Sequence, residues 1–97
     1  MEESTRAKKD VEVRRTLTDR ERSSRDIEKL KKILAEFKKL SLHEKYPQIL
    51  EWVKNYLYDA EHFYKNKDYY SAFGAANYAF GIIDGILIIE GKKNEEV

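Results

Sequence analysis

The sequence predicts an all-α fold, a three-helix bundle-like arrangement built around one long antiparallel helical hairpin. Three observations carry that prediction. Ile27, Leu30, Leu34, Phe37 and Leu40 recur at the spacing of one helix face. A second broad apolar face, from Ile49 to Tyr64, follows a proline and ends in the polar triplet Asn66-Lys67-Asp68. The stretch Ser71 to Ile89 is then apolar or small on every side, broken only by Ser71, Asn77, the Tyr78 hydroxyl and Asp84. A helix that is apolar all round must be covered on more than one face.

Residues 1 to 23 have only Val11, Val13 and Leu17 as sizeable aliphatics after Met1. Such a segment buries too little to offset its ordering entropy, so it reads as a flexible or weakly helical charged arm. Thr18 and Glu21 have the spacing of a capping box that would start a helix early, yet nothing apolar follows until Ile27. The first helix is therefore expected at about 24–40. Ser41 and Glu44 repeat the capping pattern, but Pro47 would fall inside any helix they began. Pro47 suits the first position of a second helix, about 47–65.

Asp68 is a good N-cap for the third helix, about 69–90, and Gly91 supplies its stop. The loop between the second and third helices is short, which makes them antiparallel neighbours. Tyr69, Ala72, Phe73, Ala76, Ala79, Phe80, Ile83, Ile86 and Leu87 form the core stripe of the third helix. Residues 24 to 91 thus make the helical domain, and 92 to 97 read as a frayed tail.

The chain is 97 residues long with a formal net charge of +1, but the charge is unevenly placed. Residues 1–45 are net +4 and carry all six arginines; residues 46–97 are net −3 and carry eleven of the twelve aromatics. There is no cysteine, which excludes a disulfide framework and a thiolate metal site and suits a reducing cytoplasm. The N-terminus lacks the apolar region of a secretory signal. Ser71 to Ile89 is long enough to span a membrane. Asp84 near its middle, Asn77 and three glycines argue against that reading.

Each glycine inside a helix costs ~0.8–1 kcal/mol relative to alanine, so Gly74, Gly81 and Gly85 need a packing reason. Either another helix approaches closely along them, or they make room for aromatics of the same chain such as Trp52 or Phe37. With the turn centred near Lys67, Asp59 falls level with Ala75 to Asn77, and Tyr56 level with Tyr78 to Phe80. Asp59 and Asn77 are expected to hydrogen-bond across the hairpin, as a register-fixing seam or as part of a polar pocket with His62, Tyr78 and Asp84.

Asp59 and His62 have the spacing of one half of a di-metal carboxylate site. A second such pair is missing, so no metal is expected and His62 reads as an edge residue. No serine lies in a Gly-x-Ser-x-Gly elbow, and the glycines sit within a helix rather than in a phosphate-cradling loop. No arginine follows Arg25, so an arginine–histidine nuclease pair on one helix is excluded. Neither a cofactor nor an enzymatic activity is expected. Arg14, Arg15, Arg20, Arg22 and Arg25, with the lysines of the first helix, offer a modest basic field for nucleic acid, weakened by interspersed acids.

These residues lead to a non-enzymatic interaction or scaffold module, a homo-oligomer or a binder of a protein partner. The alternative is a module that binds nucleic acid or a small molecule through the basic half or the polar pocket.

The run from Tyr56 to Gly85 carries Asp59, Ala60, Asp68, Ala72, Phe73, Asn77, Tyr78, Ala79, Gly81 and Asp84. In residue type and spacing this resembles the archaeal domain of unknown function family 357, an uncharacterised helical-hairpin family. Lys67 departs from it, since a glycine is usual in that turn. The resemblance implies an archaeal, cytosolic helical protein. It carries over no catalytic residue, because the family has no established activity.

Overall fold

The computed structural model describes residues 17–93, and among these there are four helices and no strand. They are α1 (Asp19–Lys39), the single-turn α2 (Leu42–Lys45), α3 (Pro47–Lys65) and α4 (Tyr69–Ile89). The three long helices form the bundle.

α1 begins five residues before the start that its apolar pattern sets. The Thr18 hydroxyl accepts the Glu21 N–H at 3.1 Å, and the Glu21 carboxylate accepts the Thr18 N–H at 3.0 Å. This reciprocal cap satisfies two donors that would otherwise lack partners, and it extends the helix through a turn of weak apolar content. The arm expected over residues 1–23 is thus helix in its last part; residues 1–16 lie outside the described residues.

At the other end of α1 the capping pattern of Ser41 and Glu44 forms no side-chain cap, as the position of Pro47 led one to expect. Ser41 is left-handed, at φ 61°, and its side chain caps nothing, so the chain makes α2 and restarts at Pro47. Proline belongs there, because the missing N–H is one the first turn leaves unpaired anyway.

α3 ends in a turn where Lys67 is left-handed, φ 64°, while the Asp68 N–H reaches the Phe63 carbonyl at 2.9 Å and the Lys67 N–H reaches Tyr64 at 3.0 Å. Asp68 then caps α4 through the Ser71 N–H at 3.1 Å. α4 closes with the same pair of bonds, Lys92 to Leu87 and Gly91 to Ile88, with Gly91 at φ 70°. Of the tail expected at 92–97, the Lys92 N–H closes this turn and Lys93 pairs with Asp84. Residues 94–97 lie outside the described residues.

α1 packs chiefly on α4, α4 on α3, and α1 less on α3, so α4 sits between the other two. The core consists of Ile27, Leu30, Leu34 and Phe37 from α1, Leu42 from α2, Val53 and Ala60 from α3, and Ala72, Ala76, Ala79, Ile83 and Leu87 from α4. Three alanines on the inner face of α4 let it lie close to its neighbours at no cost in helix propensity.

At the base of the bundle Glu90 accepts the Tyr46 hydroxyl at 2.5 Å and pairs with Lys45 at 2.8 Å. Lys45 first, and then Tyr46, hold the Glu90 carboxyl below its usual range, and the same carboxylate raises Tyr46.

Candidate functional site

α4 is long and apolar enough to cross a membrane by length and composition, yet only 28% of its most apolar window is buried by the described chain. The side facing the core is satisfied. The opposite side carries Tyr70, Gly74, Tyr78, Gly81, Gly85 and Ile88, whose steps from Gly74 onward alternate four and three residues. Such a row stays on one side of a helix.

On this row Tyr70 is 84% exposed, Ile88 57% and Tyr78 52%. Among the described residues, and apart from the helix's own backbone, a Cβ built on Gly74, Gly81 or Gly85 meets no atom within 4 Å. The expectation that they admit aromatics of the same chain is thereby corrected. Trp52 is itself half exposed, and Phe37 is buried on α1.

A second row on α3 borders the first. Trp52 stands edge-on to Tyr56, with ring centroids 6.5 Å apart, and Tyr56 packs against Tyr78 at 4.9 Å. Asp59 continues this row at the same spacing and is exposed. The hairpin register therefore agrees with expectation at Tyr56 and Tyr78 while the expected Asp59–Asn77 bond is absent. The reason is helical phase: Asp59 is next to the fully buried Ala60, about 100° round the helix and outside the seam.

Asn77 turns the other way. Its Nδ2 donates to the Asp26 carboxylate at 2.9 Å and to the Phe73 carbonyl at 3.0 Å. Asp26 is only 6% exposed, so the amide supplies a hydrogen bond to a largely buried carboxylate. Sequence reasoning missed Asp26, although extending the α1 row backward from Phe37, Ile33 and Leu30 by the same steps lands on Asp26 and Ser23. Ser23 is also buried, and its hydroxyl donates to the Arg20 carbonyl at 3.1 Å. The buried polar seam thus joins α1 to α4 rather than α3 to α4.

The remaining candidates do not converge. His62 is exposed, stacks on Tyr58 and accepts from Asn66 Nδ2 at 3.1 Å. Asp84 lies on the α1 side of α4 and is paired with Lys93. Among the described residues no group of three His, Asp or Glu side chains is placed to hold a metal ion. An open cleft of about 310 Å³ runs between α1 and α3, lined by Ile27, Glu28, Lys31, Glu61 and Tyr64. The Lys31–Glu61 pair at 3.0 Å spans it, and Glu61 raises the Lys31 ammonium, chiefly through that hydrogen bond.

Two of the described arginines meet aromatic residues rather than acids. Arg20 Nε donates to the Tyr64 hydroxyl at 3.4 Å, and the Arg22 guanidinium lies over Phe73 at 5.6 Å. Every ion pair among the described residues uses lysine.

A hairpin with one docked helix, a polar seam inside and an aromatic–glycine face outside defines a small all-α bundle without a converged set of catalytic groups among its described residues. The chain belongs to the family described as Protein of unknown function (DUF357), whose model matches residues 24–90. No curated protein and no solved structure matches it.

The residues that carried the resemblance now divide by role. Ala60, Ala72 and Ala79 are core, Asp68 is a cap, Asn77 holds the seam, and Asp84 takes Lys93. Phe73 underlies Arg22. Asp59 and Gly81 are exposed, and Tyr78 is half exposed against Tyr56. All three lie on the outward face.

Proposed function

We propose that this protein is a non-enzymatic interaction module that self-associates through the outward face of α4 and the adjoining Trp52–Tyr56 row of α3. The supporting observation is the glycine row itself. Gly74, Gly81 and Gly85 together cost the helix ~2.5–3 kcal/mol relative to alanine, and among the described residues nothing approaches them closely enough to require it. A second helical surface would use both the missing Cβ atoms and the exposed Tyr78 and Ile88.

A cysteine-free composition suits a cytoplasmic setting for such an assembly. Sedimentation equilibrium across low to high micromolar concentration tests the reading. A mass that rises toward twice that of one chain supports it; a monomer at high micromolar concentration overturns it.

A second reading, nucleic-acid binding, is favoured by one observation. Arg22 lies over the Phe73 ring, Arg20 bonds the Tyr64 hydroxyl, and none of Arg20, Arg22 and Arg25 has a carboxylate partner among the described residues, which leaves three guanidinium groups able to meet phosphates. Fluorescence titration with single-stranded RNA at two salt concentrations decides it, because phosphate contacts must weaken steeply as salt rises. Binding absent at low salt removes this reading.

A further inference from the structure

We infer that two copies pair antiparallel along α4 about a two-fold axis at Gly81, each large residue of the outward row entering the gap left by a glycine of the other copy. The inference rests on the self-association proposed above and specifies its partner and register.

The argument lies in the order of sizes along the row. Reading Gly74, Tyr78, Gly81, Gly85, Ile88 forward in one copy and backward in the other gives five layers. Gly74 meets Ile88, Tyr78 meets Gly85, Gly81 meets itself, and the last two layers repeat the first two. No layer sets two large side chains against each other. A parallel, in-register pair would do the reverse, stacking Tyr78 on Tyr78 and Ile88 on Ile88 while glycine faced glycine across a gap. Close packing favours the first arrangement, since a void forfeits contacts and a collision forces side chains off their rotamers.

A surface that matches itself on reversal is the requirement of a two-fold homodimer, in which residue i meets j and j meets i. That is why the occupant is a second copy.

At 1.5 Å per residue the row from Tyr70 to Ile88 spans about 27 Å. A face of this length, extended by Trp52 and Tyr56, is a small one, and small interfaces form reversible pairs.

Because the natural chain has no cysteine, single thiols report the register directly. The Cα atoms of a disulfide must lie about 4.4–6.8 Å apart, a window that only facing positions on closely packed helices meet. The expected result under mild oxidation is a covalent dimer from Gly81→Cys alone. Gly74→Cys and Ile88→Cys should each remain uncrosslinked alone and crosslink when mixed. Self-crosslinking of all three variants would mean a parallel pair and overturn the inference. Absence of crosslinks while the unmodified chain sediments as a dimer would overturn it too, moving the contact to another face and leaving self-association standing. A monomer by sedimentation would remove both.

Discussion

The two sides of α4 use small residues in opposite ways. On the inner side smallness is alanine: Ala72, Ala76 and Ala79 are fully buried, and each keeps full helix propensity. On the outer side smallness is glycine, at positions where a methyl group would meet none of the described residues. If the outer row only had to be small, alanine would serve there as well. Glycine on this side fits the constraint that the proposed second copy would impose, and the inner alanines show what the same helix does when the neighbour is its own.

The sharpest way to break this comparison is to truncate the same residue type on each side. Ile83→Ala, at a fully buried position, should lower stability by ~2–4 kcal/mol in chemical denaturation of the dilute protein. Ile88→Ala, at a position 57% exposed, should stay within ~0.5 kcal/mol under the same conditions while weakening self-association. Equal losses at the two sites would show that the outer face is covered within one chain.

The polar seam gives the next largest effect. Asn77→Leu leaves the Asp26 carboxylate buried without its donor and should cost ~2–3 kcal/mol. Adding Asp26→Leu should return most of that loss, since removing both partners removes the unsatisfied group as well. A double variant no more stable than Asn77→Leu alone would mean that the bond contributes through geometry rather than through satisfaction.

Gly81→Ala should raise the stability of the monomer by ~0.5–1 kcal/mol, because the added methyl is unopposed and the helix gains propensity. Its effect on sedimentation should have the opposite sign, with dimer lost at concentrations where the natural chain retains it. Gain in one measurement and loss in the other is the signature of a residue kept for a partner.

The two ends of α4 allow the smallest test. The turn before it and the turn after it share one hydrogen-bond pattern, yet Lys67 occupies the left-handed position in the first and Gly91 in the second. A left-handed lysine costs ~1 kcal/mol that glycine avoids, partly offset by the greater freedom of glycine when unfolded. Lys67→Gly should therefore raise the melting temperature slightly; a fall would mean that the lysine side chain contributes something at the turn.

Much of the fold is legible in the residues because its signals are local. Pro47 and Asp68 start helices for reasons that concern a single turn, and the core stripe of α4 follows from period alone. The start of α1 was harder, since a capping box and an apolar pattern disagreed there and the cap prevailed. The site was less legible because its key relations are between helices. Asn77 faces α1, and nothing in the hairpin register reveals on which flank α1 docks. Asp26 reads as an ordinary surface acid until the row from Phe37 is continued backward through it. The outward glycines point to a close approach, but their spacing does not say that the described residues leave them uncovered.

The seam between Asp26 and Asn77 has a further consequence, for the order in which the molecule assembles. These residues are 51 positions apart, whereas α3 and α4 are joined by a three-residue turn. Closing the short loop costs less entropy, which favours a hairpin that forms before α1 docks on α4. The amide of Asn77 then marks the side on which α1 belongs. A helix that brings an acceptor such as the Asp26 carboxylate to its level satisfies it, and a helix without one would leave that N–H unpaired.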